Sequence, residues 1–183
     1  MSDIVEKVLK ESIIGESNAV KMYRIFAEKA SSESFPNIGL LFVALANAEE
    51  VHIKNHISAL GNSVDEIKYE DVQLGSTLDN LKVSLEGEVY EYKKMYPSFL
   101  KEVKKKKNLT DYEKVALLSM RWSSDVERQH AKLLKMAIGF VARGEDIPYS
   151  NFYLCRVCGN LELDIDRDDC KICGHDTTFF VEQ

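Results

Sequence analysis

Three short patterns recur along this 183-residue chain: Glu49-x-x-His52, Glu88-x-x-Glu91 and Glu127-x-x-His130. Each lies in a stretch of helical hydrophobic period, where positions three apart leave the same face. An earlier stretch of the same kind offers Glu16 among apolar neighbours. A protein core does not hold five carboxylates unpaired, because each would cost several kcal/mol. Cations must therefore sit among them, and the frame that provides this is a four-helix bundle with two metal ions in its core. Heights agree with this plan. Glu16, Glu49, Glu88 and Glu127 lie ~20 Å from their helix starts at a rise of ~1.5 Å per residue, so they meet at mid-bundle whichever way each helix runs.

The rest of the pattern fills in that frame. Ile4, Val8, Ile13, Val20, Tyr23 and Phe26 predict a first helix over residues 3 to about 30, with Ser2 or Asp3 at its start and Glu6 completing a capping box. Pro36 suits the first turn of a second helix that Gly61 ends. Its inner face carries Ile38, Phe42, Leu45, Glu49, His52 and His56. Residues 62 to 75 are too many for a tight hairpin and predict a crossover that lets helix 3 run parallel to helix 2. Helix 3 starts at Ser76 or Thr77, and Pro97 within its pattern predicts a kink or local unwinding there. Thr110 and Glu113 form a capping box for helix 4, which continues to about Arg143. His56 matches the helical face but no ligand position, and reads as a polar residue at the edge of the core.

All four cysteines lie near the C-terminus, in Cys155-x-x-Cys158 and Cys170-x-x-Cys173. This spacing fits a tetrahedral thiolate site for iron or zinc and does not choose between them. A glycine after each pair, Gly159 and Gly174, allows a tight knuckle. The division expected is a metal-binding bundle over residues 1–146 and a small, metal-stapled unit over 147–183, too short for an apolar core of its own. Short apolar runs at Phe152 to Leu154, Leu161 to Ile165 and Phe179 to Val181 predict a few strands. His175 reads as exposed.

Charge and hydropathy exclude other classes. A net charge of −6 argues against nucleic acid, and the Lys104 to Lys107 run reads as a solvated helix end. No stretch approaches the ~20 apolar residues that span a bilayer. No basic-then-apolar leader opens the chain, so the expected location is the cytoplasm, where cysteines stay reduced.

These residues together carry a resemblance. Gly15-Glu16-Ser17, Glu49-x-x-His52, Gly87-Glu88-x-x-Glu91 with Met95-Tyr96-Pro97, and Glu127-x-x-His130 resemble the rubrerythrin family, and Cys155-Arg-Val-Cys158-Gly159 with Cys170-Lys-Ile-Cys173-Gly174 resemble its rubredoxin-like part. The resemblance implies a ferritin-like bundle holding two iron ions, a rubredoxin-like β unit holding one iron on four sulfurs, and a peroxidase that reduces hydrogen peroxide to water in oxidative-stress defence. It implies electrons arriving from an NADH-linked reductase or rubredoxin-type donor through the FeS4 centre. It also implies bridging roles for Glu49 and Glu127, terminal roles for Glu16 and Glu88, His130 on the second iron, and exchange of Glu91 with His52 on the first. Tyr23 and Tyr96 match positions beside the site. Two departures stand out in the cysteine unit: Lys171 where proline is common, and Leu161 where an aromatic is expected.

Two other readings stay open on the residues alone. One is a ferroxidase or iron-handling bundle with a structural zinc site, and the other is a metal-stabilised interaction module. The extra carboxylate of Glu91 separates them from a peroxidase, because a simple ferroxidase bundle does not need it. A short linker from Gly144 to Ser150 predicts that the cysteine unit hangs beyond the end of helix 4, far from its own di-iron site. A head-to-tail homodimer would then bring each cysteine unit beside its partner's irons, as the resemblance also implies.

Overall fold

Apolar residues at helical spacing produce, in order, α1 (Asp3–Ser32), α2 (Pro36–Leu60), α3 (Thr77–Tyr90), α4 (Tyr96–Lys104) and α5 (Asp111–Val141). Strands β1 (Tyr153–Cys155), β2 (Leu161–Glu162) and β3 (Phe180–Glu182) follow. The structure is a computed structural model that describes residues 2–61 and 67–183. A π-helical turn, Glu91–Met95, joins α3 to α4, so these two form one interrupted rod and the bundle has four.

Contacts at the helix ends fix the directions. Glu33, just past α1, accepts from Thr77 N at 2.8 Å and Thr77 Oγ1 at 2.7 Å, so α3 starts where α1 ends. Asp146, beyond α5, accepts from the amides of Asn37 and Ile38 in the first turn of α2. At the other end Ser2 N donates to Glu113 Oε1 near the start of α5. Thus α1 and α5 run one way, and α2 and α3 the other. The chain must cross the bundle's length between Leu60 and Thr77, as the connection length implies. Residues 62–66 of that crossover lie outside the described residues, and part of the rest lies along α1, where Glu70 N donates to Asn18 Oδ1.

The capping box of α5 forms as expected, with Thr110 N on Glu113 Oε2 and Glu113 N on Thr110 Oγ1. The start of α1 differs. Ser2 occupies the cap position, but its side chain makes no capping hydrogen bond, and its amide goes to Glu113 instead. The irregularity in the third rod also shifts. It lies at Glu91–Met95, one turn before Pro97. The proline ring crowds the carbonyl four residues earlier, and widening the preceding turn relieves that conflict while the helix continues to Lys104.

The C-terminal segment folds back, contrary to the expectation that it would hang beyond the last helix. Its strands form an antiparallel sheet in the order β2-β1-β3, with Leu154 paired to Leu161 and Val181. Phe152, Leu154 and Leu161 join one apolar cluster with Phe26, Phe42, Leu45 and Leu134 of the bundle. A unit this small has too little apolar surface to bury within itself, so it borrows the bundle's. The turn back uses Gly144 at φ 75°. Asp146 then pins the chain to the N-terminus of α2, where a carboxylate meets unpaired amides and the positive end of the helix dipole. Among the described residues, no helix is long and apolar enough to cross a membrane.

Candidate metal centres

Four rods contribute to one buried cluster at mid-bundle. Glu16 of α1, Glu49 and His52 of α2 and Glu127 of α5 bring ligand atoms within 4.8 Å of one another. Glu49, Glu88 of α3, Glu127 and His130 form a second such set. Glu49 and Glu127 belong to both. The rings of His52 and His130 lie 5.9 Å apart. His52 Nδ1 approaches Glu49 Oε2 at 2.7 Å and Glu127 Oε1 at 3.0 Å, while His130 Nδ1 lies 2.9 Å from Glu127 Oε2 and 3.3 Å from Glu49 Oε1. The spacing of three in Glu49-x-x-His52 and Glu127-x-x-His130 brings both members of each pair together, as the sequence predicted.

The electrostatics of the donor set are those of a cation site. Burial drives the Glu16 carboxyl well above the usual carboxylate range, with Glu91 and Glu49 adding to the effect. Burial likewise lifts Glu88 to about 8 despite the opposing His130. Burial also acts on Glu49, but His52 and His130 outweigh it and hold that carboxyl at about 2. Both imidazoles are raised well above their ordinary value, because Glu127 and Glu49 at His52, and Glu88 and Glu49 at His130, overcome desolvation. Glu16 Oε2, both Glu49 oxygens, both Glu127 oxygens, His52 Nδ1 and His130 Nδ1 are buried without a well-aligned hydrogen bond. Buried polar atoms are rarely left so, and here they converge. Carboxylates with imidazole form a donor set suited to iron, and the two sets sharing two carboxylates fit two iron ions.

Side chains around the cluster hold it in place. Tyr23 of α1 donates to Glu88 Oε1 at 2.5 Å, and Tyr96 donates to Glu16 Oε1. Burial, then the neighbouring Glu88 and Glu16 respectively, keep both phenols well above their ordinary pKa, so they remain donors. Glu91 is different. It opens the π-helical turn and belongs to neither donor set among the described residues. It lines a cleft with Gly15, Ala19, Met22 and Val83. Burial, followed by Glu127 and Glu88, raises its carboxyl well above the normal range. His56, expected at the core edge, is fully buried. Its partners are Ser119 and Tyr96, a role that the lone sequence pattern did not signal.

The four cysteines meet as their spacing predicts. Cys155 Sγ lies 3.7 Å from Cys173 Sγ, and Cys158 Sγ lies 3.7 Å from Cys170 Sγ. These separations are too long for disulfides. They match the ~3.8 Å edge of a tetrahedron whose metal–sulfur bonds are ~2.3 Å, so the site fits one iron. Gly159 and Gly174 take φ 87° and 70°, the left-handed turns that the knuckles require. Lys171, the departure from a common proline, pairs with Glu162 at 2.8 Å. His175 is exposed as expected, edge-on to Trp122 and Phe179.

The two centres touch within one chain. His52 Nε2 donates to the carbonyl of Cys158 at 3.1 Å, and Asn55 Nδ2 donates to that of Val157 at 2.8 Å. The cysteine knuckle therefore docks on α2 beside the di-iron donors, which removes the distance argument for a dimer.

Comparison with known proteins identifies the family. The rubrerythrin family model matches residues 7–138. Rubrerythrin-2 of Clostridium acetobutylicum is 36% identical over 169 residues, covering 91% of this chain and 89% of that protein. Nigerythrin of Nitratidesulfovibrio vulgaris is 29% identical, covering 90% of this chain and 79% of its own length. A solved structure of nigerythrin in a mixed-valence state superposes with a TM-score of 0.85 at 26% identity, over 100% of this chain and 88% of that one. Family match, relatives and paired metal-donor sets converge, and the chain belongs to the rubrerythrin family.

Proposed function

We propose that this protein is a non-haem di-iron peroxidase that reduces hydrogen peroxide to water in oxidative-stress defence, with electrons relayed through the FeS4 centre. The observation that carries this reading is His52: its Nδ1 faces Glu49 and Glu127, while its Nε2 holds the Cys158 carbonyl. One imidazole thus spans the di-iron donors and the cysteine knuckle. In the proposed ligand set Glu16 and His52 would hold one iron and Glu88 and His130 the other, while Glu49 and Glu127 belong to both sets. Cys155, Cys158, Cys170 and Cys173 hold the third iron.

When bound, the iron pair supplies the electrons and Lewis acidity that O–O cleavage needs. The chain's own groups do the rest. Tyr23 and Tyr96 fix the terminal carboxylates Glu88 and Glu16 and can hold or pass a proton at their oxygens. Glu91, on the cleft, would be the carboxylate that takes turns with His52 in holding the first iron. Residues 1–146 form the reacting part and 147–183 the relay. Cys173, the least buried of the four cysteines, marks the edge where an NADH-linked reductase or rubredoxin-type donor delivers electrons in the cytoplasm. A head-to-tail homodimer stays in the proposal on the family resemblance.

To test the reading, iron-loaded protein is mixed with peroxide and an NADH-coupled donor, with metal analysis and a visible spectrum. Red ferric-thiolate colour and NADH-dependent peroxide loss are expected, and Cys158→Ser should abolish both while pre-reduced di-iron still oxidises. A colourless, zinc-containing cysteine site with iron oxidation by dioxygen would instead indicate a ferroxidase. For the dimer, Cys158→Ser and Glu91→Ala chains are mixed: recovered turnover means transfer between chains. A monomer with full activity in ultracentrifugation removes the dimer from the proposal.

A further inference from the structure

Three buried polar groups from three helices line up behind Glu16 of α1. Ser119 Oγ of α5 lies 3.0 Å from His56 Nδ1 of α2, and His56 Nε2 lies 3.1 Å from the Tyr96 hydroxyl at the start of α4. Tyr96 reaches Glu16 Oε1 of α1. Glu16, Tyr96 and His56 have no accessible surface, whereas Ser119 retains 4%, which makes Ser119 the outer end. Ser123 Oγ, 3.4 Å from His56 Nε2, is the other polar group from α5 beside the ring.

The line has a property that a purely structural histidine would not need. With Tyr96 donating to Glu16, His56 Nε2–H donates to the Tyr96 oxygen and Nδ1 accepts from Ser119. With the polarity reversed, Glu16 carries the proton and donates to the Tyr96 oxygen, Tyr96 donates to Nε2, Nδ1–H donates to Ser119, and the Ser119 hydroxyl turns to the Ala116 carbonyl at 3.0 Å. Each hydroxyl has one proton, and both arrangements leave every group of the line paired. Burial, with the charge of His52 adding to it, lowers His56 to about 3, so the ring is neutral and has one donor and one acceptor nitrogen. Glu49 acts on the ring only through its charge, in the opposite direction.

We infer that Ser119, His56 and Tyr96 form a proton relay into the di-iron site that ends at Glu16 Oε1. In one passage the Tyr96 O–H bond breaks as an O–H bond forms at Glu16. Tyr96 takes the His56 Nε2 proton, His56 Nδ1 takes the Ser119 proton, and solvent replaces that last proton. No electron moves along the line. The relay rests on the peroxidase reading, because reducing peroxide to water consumes a proton with every electron. His56 acts through Tyr96 and Glu16, so it is a positioning and proton-passing residue.

Two measurements test the relay. In zinc-loaded protein, where Glu16 is held as an acceptor, 15N NMR of the His56 ring should show the Nε2–H tautomer, and an Nδ1–H ring would overturn the polarity. In iron-loaded protein, His56→Leu and His56→Gln should both slow the peroxide step by ~100-fold with unchanged iron content. The Gln amide can hold Tyr96 but does not pass a proton, so wild-type rates in His56→Gln would reduce His56 to a spacer and overturn the relay. Should the core variants misfold, Ser119→Ala near the surface should still slow the step, by ~10-fold; an unchanged rate there would refute entry at Ser119. Wild-type protein that shows the Nε2–H tautomer but no peroxide turnover refutes the peroxidase reading and supports the polarity of the line.

Discussion

His52 and Cys158 are joined by a hydrogen bond from the imidazole Nε2 to the backbone carbonyl, 3.1 Å long and fully buried. The contact is possible because Gly159 follows Cys158. A Cβ at Gly159 would lie 2.6 Å from His52 Nε2 and 3.0 Å from the Ala48 carbonyl, on a backbone at φ 87°. Gly159→Ala should therefore push the knuckle off α2 and cost roughly 1–3 kcal/mol of stability. Rapid-mixing spectroscopy should show slower electron transfer from the FeS4 centre to the di-iron site, with both metals retained. Unchanged transfer would mean that electrons take another path.

Glu91 lies in the π-helical turn and, among the described residues, outside both donor sets. Glu91→Ala should leave folding within about 0.5 kcal/mol of wild type and two irons bound, yet lower peroxide turnover. Full activity in the variant, measured in the same NADH-coupled assay, would show that Glu91 has no exchange role.

Removing the metal should make stability strongly pH-dependent. Glu88 is raised to about 8, and Glu16, His52 and His130 are also raised, so the folded metal-free bundle keeps protons that the unfolded chain releases. Wherever the folded state binds more protons, stability falls as pH rises, by ~1.4 kcal/mol per pH unit for each such group. Metal-free protein should lose stability from about pH 4.5 towards 8, with the histidines contributing above their unfolded value near 6.5. Urea unfolding at several pH values checks this, and the iron-loaded protein should show a much flatter profile.

Glu33 gives the opposite sign at the surface. Lys29 and the Thr77 hydroxyl and amide hold its carboxyl at about 2, below the ordinary 4.5. A depressed pKa contributes stability above the unfolded value and loses it as pH falls through the folded one. The stability gap between wild type and Glu33→Gln should be constant above about pH 5 and close between about 4.5 and 2. Because the pair is partly exposed, added salt should narrow the gap.

The sequence by itself determined the donor sets, because helical spacing decides which side chains share a face, and face sharing does not depend on the neighbours. Glu49 with His52, Glu127 with His130 and the two cysteine pairs needed nothing beyond that local geometry. The capping box at Thr110 and the left-handed glycines after each knuckle were legible for the same reason. Tertiary structure decided what depends on contacts between distant segments. Ser2 gives its amide to Glu113, more than a hundred residues away, and its side chain makes no capping hydrogen bond. Glu91 lies in the π-helical turn that precedes Pro97 and, among the described residues, outside both donor sets, a placement that the spacing of three did not show. His56 became a buried, hydrogen-bonded ring only because Ser119 and Tyr96 arrive from other helices. The cysteine unit folded back because Phe152, Leu154 and Leu161 had no core of their own to enter, and the bundle offered one.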